Sequence, residues 1–305
     1  MNLNAKAIEL YENNELDQAL LLFKEAVRQE RNVQSLHNLA WMLCYEEDDY
    51  LQAIVLLEEA IVKEPNSHFP YHLLGEIYIR IEKPDKAIPI LKRGMEMLST
   101  KEAYNNLGVA FFQAGDKANA SAFFLKASGS SDYALYSHVK CLIELGSYDR
   151  AELLLDTFTR EDEEFVGEVD LADLYAEINS FKKANHWYDK GWEGYFKEPY
   201  WVSRYIYCLV QAGEIEKARN IVESLIKEKQ LELEEGFGDE CFDDWTEKEK
   251  EEEIKELKTH KIEYEKMIDA AIEGIKEPLH FEPQIQTACY LFGCKRHGNP
   301  EVKEV

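Results

Sequence analysis

Apolar residues recur along most of the chain at intervals of three and four, the period of a helix with one buried face. LHNLAWML, YHLLGEIY and YNNLGVAFF are clear cases. Each is followed by a short polar turn and a second amphipathic stretch, so the local unit is helix, turn, helix. The second stretch carries a recurring pattern: an aromatic or apolar residue, two polar residues, Ala, three residues, then a bulky apolar one. It reads NELDQALLLFKEA, DDYLQAIVLLEEA, EKPDKAIPILKRG, GDKANASAFFLKA, GSYDRAELLLDTF, NSFKKANHWYDKG and GEIEKARNIVESL. The anchoring alanines are Ala19, Ala53, Ala87, Ala120, Ala151, Ala184 and Ala218, spaced 34, 34, 33, 31, 33 and 34 residues apart. A fixed period of this length is the mark of a repeat array, in which each unit buries its apolar face only against its neighbours. Small residues at Ala40, Gly75, Gly108 and Ala172 fall where the two helices of a repeat should cross closely, with Ala53, Ala87 and Ala120 opposite.

The pattern resembles the tetratricopeptide repeat family, with its aromatic, Leu-Gly, Tyr, Ala, Phe, Ala and Pro in fixed order. Repeat four fits best, with Tyr104, Leu107, Gly108, Phe111, Gly115, Ala120, Phe124 and Ala127. Repeat three supplies Tyr71, Leu74, Gly75, Tyr78, Ala87 and Leu91. Repeat two supplies Leu36, Leu39, Ala40, Leu43, Ala53, Leu57, Ala60 and Pro65. Repeats five to seven depart from it: His138-Val139 and Tyr205-Ile206 stand where Leu-Gly is expected. The resemblance implies an all-α solenoid, a right-handed superhelix of about seven helix-turn-helix repeats over residues 1–230.

Beyond the array the period is lost. Residues 231–245 read as an acidic loop, and 246–305 as C-terminal capping helices and a tail. Thr246 with Glu249 forms a capping box, opening a long helix to about Lys276 whose stripe is Ile254, Leu257, Lys261, Tyr264, Ile268, Ala271 and Ile275. An array leaves an open apolar end, which such a one-sided helix can cover. Pro278 ends that helix, and Glu282 to Phe292 reads as one more.

Charge narrows the partners. Against 35 Lys and Arg stand 60 Asp and Glu, a formal net charge of −25, which repels phosphate backbones and anionic lipid. Nucleic acid and membrane are therefore not expected partners. The N-terminus lacks a signal-peptide pattern and the six cysteines are sparse, so a cytoplasmic protein with reduced thiols is expected. No phosphate-binding glycine loop, nucleophile elbow or HExxH occurs, and neither an enzyme activity nor a cofactor is expected. Cys289 and Cys294, with His280, His297 and Cys241 as further ligands, suggest zinc. The missing second knuckle argues for plain thiols and no metal. His68, His72 and Glu76 share a helical stripe, but His68 reads as a cap. Cys44, Cys141 and Cys208 read as core.

The stacked first helices of such an array line a concave groove. Its predicted partner-binding residues are His37, Trp41 and Tyr45; Phe69, His72 and Arg80; Asn105, Phe112 and Gln113; Tyr133, Tyr136 and Lys140; and Tyr200 and Tyr207. These are aromatic, amide and isolated basic side chains at positions not needed to stack the repeats, as a protein-binding surface uses. The family's co-chaperone subtype grips a C-terminal carboxylate with Lys and Asn. Only Asn38 matches here, so that ligand is not expected. The function expected is a non-enzymatic scaffold that binds a protein or peptide segment in the groove. The alternatives are a regulatory peptide receptor, an immunity-type inhibitor of a basic partner and, ranked last, an enzyme or metal protein using residues 231–305; the fallback site is the acidic Glu228–Glu256 stretch as bait for a basic partner.

Overall fold

The computed structural model describes residues 2–130, 132–161, 164–235 and 246–302. Helices fill it, and no strand occurs among the described residues. It divides into two compact units, Met1–Leu145 with Pro283–Val305, and Gly146–Glu282. The division falls at the turn of the fifth repeat.

The first unit holds four helix pairs, α1 (Leu3–Glu12) with α2 (Leu16–Gln29), α3 (Val33–Tyr45) with α4 (Tyr50–Val62), α5 (Phe69–Arg80) with α6 (Pro84–Met97), and α7 (Lys101–Gln113) with α8 (Lys117–Ala127). A further helix, α9 (Asp132–Glu144), packs on α8. All seven ladder alanines across the chain are fully buried. The atoms pressing on the small positions lie one turn beyond that ladder. A Cβ on Gly75 would sit 2.4 Å from Leu91, and one on Gly108 2.7 Å from Phe124.

Each repeat also turns through one left-handed residue: Asn14, Asp48, Glu82, Gly115, Gly146, Asn179 and Gly213. Their spacing repeats that of the alanines. In six of the seven the following N–H closes the helix on a carbonyl five or six residues back, as Lys83 does on Tyr78 (2.8 Å) and Glu214 on Leu209 (2.8 Å). The fourth helix ends at Val62, three residues before Pro65, through left-handed Glu64.

The second unit runs α10 (Tyr148–Leu155), α11 (Glu168–Glu177), α12 (Phe181–Gly191), α13 (Pro199–Gln211), α14 (Ile215–Glu235) and α15 (Glu247–Ile272). The predicted loop from residue 231 starts later, because α14 continues to Glu235; the rest of that stretch, Cys241 included, lies outside the described residues. The Thr246–Glu249 capping box forms, and α15 packs along α13 and α14. Leu257, Tyr264, Met267, Ile268 and Ala271 carry the buried face, while Ile254 and Ile275 stay exposed. Lys261 reaches out of the stripe to Gln230 Oε1 (2.8 Å). The helix stops at Ile272, before Pro278, because Gly274 takes φ +79° and Ile275 N–H closes on Ala270 O (2.9 Å). No helix among the described residues is long and apolar enough to cross a membrane.

The predicted helix over 282–292 does not form. That segment is extended and lies along the inner helices α3, α5 and α7 of the first unit. Its ends are fixed by side chains two repeats apart, about 16–20 Å at ordinary helix-to-helix distances. The six residue steps from Gln286 to Phe292 span about 20 Å when extended but only about 9 Å as a helix. Only the extended form reaches both.

Candidate functional site

The groove of the first unit is built from the residue preceding each Leu-Gly or Leu-Ala pair, which the repeat register turns toward the inner face. In repeat two this residue is Asn38. Its Nδ2 donates to Phe292 O (3.0 Å) and its Oδ1 accepts from Phe292 N–H (3.0 Å). In repeat four it is Asn106, which donates to Gln286 O (2.8 Å) and accepts from Gln286 N–H (2.8 Å). Each asparagine thus satisfies both backbone groups of one residue of an extended chain, as a neighbouring strand would. Asn105 Nδ2 adds a bond to Gln284 O (2.8 Å), and His37 Nε2–H one to Tyr290 O (2.8 Å). Gln34 Oε1 accepts from Val302 N–H (3.3 Å).

Aromatic rings fill the space between these bonds. Phe69 lies 4.9 Å from Phe292 and 5.5 Å from Tyr290, ring centre to ring centre. His37 meets Phe292 edge-on at 4.8 Å. Tyr290, Leu291 and Phe292 are buried as completely as the repeat core. Burial pushes the pKa of His37 and of His72 down to about 3, with His68 nearby adding to both, so both rings are neutral.

The predicted groove residues therefore divide. His37, Phe69, His72 and Asn105 lie buried under the C-terminal segment. Trp41 is also buried, packed edge-on against Tyr11 at 5.1 Å and beside Tyr45, so it holds the fold together as well as lining the groove. Both line a cavity of about 390 Å³ that also touches Glu12, Cys289, Cys294 and His297. Tyr45 O–H donates to Glu76 (3.0 Å), a fully buried carboxylate that Arg80 also binds (2.8 Å). Burial pushes Glu76 up, against the downward pull of Arg80 and Tyr45. Gln113 donates to Ile79 O (3.2 Å), Lys140 pairs with Glu144 (3.4 Å), and the Lys117 ammonium sits over Phe112 at 3.0 Å. Tyr136 is buried and Tyr133 exposed. His68 occupies the cap position of α5 without a side-chain cap bond.

In the second unit Tyr200 O–H donates to Pro278 O (3.2 Å), accepts from His280 N–H (2.7 Å) and stacks on the His280 ring. Tyr207 instead packs on Phe181. The residue before Tyr205-Ile206 is Arg204, fully buried, which bonds Asp173 (2.6 Å), Glu177 (2.7 Å) and the Glu277 carbonyl. Asn38, Asn106 and Arg204 were not among the predicted binding residues. Their signal was in the chain, a polar side chain at one repeat position where the core would accept an apolar one such as Leu73.

Cys44, Cys141 and Cys208 are buried, and burial pushes each thiol up to about 12. Cys289, Cys294 and His297 differ from the reading of isolated thiols, since the fold gathers their ligand atoms within 4.8 Å of one another.

A tetratricopeptide repeat family model matches residues 72–134. No curated protein matches the chain. Among solved structures, a tetratricopeptide repeat protein from Parabacteroides merdae is 18% identical and aligns over 85% of this chain and 97% of its own, with a TM-score of 0.56. The MamA protein is 18% identical over 64% of this chain and 98% of its own (TM-score 0.46). YrrB, described as a TPR protein with an unusual peptide-binding site, is 19% identical over 58% and 88% (TM-score 0.46). At these identities the likeness concerns the fold alone, and the latter two superpose too loosely to carry an argument.

Proposed function

The chain is a tetratricopeptide repeat protein, and we propose that it is a binding scaffold, with no reaction of its own, whose groove takes an extended segment of a partner protein. Residues 283–302 occupy that groove in the resting chain and give way to the partner. The observation that carries this reading is the pair of two-way amide bonds from Asn38 and Asn106 to Phe292 and Gln286. Such bonds read only backbone, so they serve a foreign extended chain as well as the resident one.

The fit of the resident segment is incomplete, which favours replacement. His37 Nδ1, both ring nitrogens of His72 and the Tyr290 hydroxyl are buried and have no hydrogen-bond partner among the described residues. Each unpaired buried group costs about 1–3 kcal/mol, which a better-matched occupant would recover. The resident stretch from Pro283 to Phe292 carries no charge. This favours an uncharged, aromatic-bearing partner segment over a basic one.

The test is exchange in place. A protease site inserted between Glu282 and Pro283 lets the resident segment be cut while bound. A fluorescent peptide of residues 283–302 should then replace it, while the uncut chain excludes the peptide, because a tethered segment acts at about millimolar effective concentration. A cut segment that never exchanges under native conditions would make it permanent core and end this reading.

A further inference from the structure

Cys289, Cys294 and His297 come from the last stretch of chain, and the spacing alone, C-x4-C-x2-H, lacks the second knuckle of a zinc module. The fold supplies what the sequence omits. Cys294 Sγ lies 3.3 Å from His297 Nδ1, and Glu12 Oε1 on α1 approaches the same sulfur to 3.8 Å. The three sulfur and nitrogen atoms lie within 4.8 Å of one another. A tetrahedral zinc with bonds of about 2.3 Å to sulfur and 2.0–2.2 Å to nitrogen or oxygen holds such pairs about 3.5–3.6 Å apart. The Cys294–His297 pair, at 3.3 Å, lies close to that value.

The surroundings fit as well. Asn299 Nδ2 donates to Cys289 Sγ (3.4 Å), to Cys289 O (2.7 Å) and to Leu291 O (3.0 Å), the outer-shell bonds that orient a thiolate ligand. The loop turns through left-handed Gly293 and Gly298, and Cys294 N–H and Asn299 N–H close it on Leu291 O and Cys294 O. Residues 295–298 are exposed and contribute no apolar core. Packing alone therefore leaves the imidazole free to turn away, yet its Nδ1 faces the buried Cys294 sulfur. Two thiolates and a neutral imidazole around a divalent ion leave no net charge.

We infer that Cys289, Cys294 and His297 form a zinc site of two sulfurs and one nitrogen, with the fourth position left to a solvent oxygen. Sulfur with imidazole selects zinc over magnesium or calcium. All three ligands belong to the C-terminal segment, so the ion closes residues 289–297 into one loop. This inference does not depend on partner binding, because metal content is read without a partner.

The full-length protein, reduced and equilibrated with zinc, should retain about one zinc per chain after desalting, as structural sites do. Cys289→Ser with Cys294→Ser should abolish retention, and His297→Ala should weaken it at least as much as the roughly 10–100-fold cost of losing an outer-shell partner. Cobalt loaded into the unaltered protein needs no variant to fold. It should give the intense visible bands of a tetrahedral ion and a thiolate charge-transfer band. Zinc-free reduced protein, equal retention by the double variant, a weak octahedral cobalt spectrum, or a Cys289–Cys294 disulfide as the form isolated from cells would each overturn the site.

Discussion

The two units hold the returning chain at the same repeat position with opposite chemistry. In the first, Asn38 and Asn106 offer neutral amides to the backbone of residues 286 and 292. In the second, Arg204 offers a buried guanidinium that Asp173 and Glu177 balance, and grips the Glu277 carbonyl. Opening an amide contact returns neutral groups to water. Opening the arginine contact disturbs a charge network whose members have been stripped of solvent, and a buried pair broken on one side is left with an uncompensated charge. On the proposed reading, the difference separates a grip open to exchange from one that is part of the fold.

The largest effect expected is therefore at Arg204. Arg204→Ala should cost the second unit about 3–5 kcal/mol, read as a shift in its denaturant midpoint. If the loss is under about 1 kcal/mol, the surface value for an ion pair, the network is not what fastens Glu277. Phe292→Ala removes a ring buried against Phe69 and His37, and such truncations cost about 3–5 kcal/mol. Here the loss should appear as release of residues 284–292 with the helices of the first unit still folded. Unfolding of α3 and α5 together with it would erase the contrast between the units. Asn38→Ala and Asn106→Ala should each cost about 1–3 kcal/mol, confined to release of the same segment.

The buried histidines of the first unit and Asp170 of the second should respond to acid with opposite signs. His37 and His72, held neutral by burial, have folded pKa values near 3 against an ordinary 6.5. Between those values the unfolded chain binds more protons, so the first unit loses stability as pH falls through the window. Asp170 is pushed up to about 6 by burial and by Asp173, from an ordinary 3.8. There the folded form binds the extra proton, so this residue's contribution to the second unit rises as pH falls from above 6 toward 3.8. Asp170→Asn should raise the second unit's stability at neutral pH and flatten that slope, measured by denaturant titration across the range. A rise in the first unit's stability on acidification would contradict the buried neutral histidines.

The repeat architecture was readable because it is periodic. One alanine per repeat reports a close helix contact, and the left-handed turn residues Asn14 to Gly213 keep the same spacing five residues earlier. The C-terminal segment was not readable, because a short apolar run suits a helix or an extended chain equally. Its conformation was decided by partners some 180 and 254 positions away, Asn106 and Asn38. Register put His37, Phe69, His72 and Asn105 on the inner face, where they lie buried under the C-terminal segment; it could not show that the chain's own end would lie there. Cys289, Cys294 and His297 were named from the sequence and set aside for want of a second knuckle; only the fold shows their ligand atoms gathered within 4.8 Å of one another.

The central claim is that two asparagines hold an extended segment in the groove, and amide hydrogen exchange at Gln286 and Phe292 tests it most directly. Both N–H groups should exchange far more slowly than in a free peptide. Asn106→Ala should speed Gln286, and Asn38→Ala Phe292, by roughly tenfold or more at about 1.4 kcal/mol per tenfold. Free-chain exchange at both amides, with α3 and α7 still protected, would contradict the account.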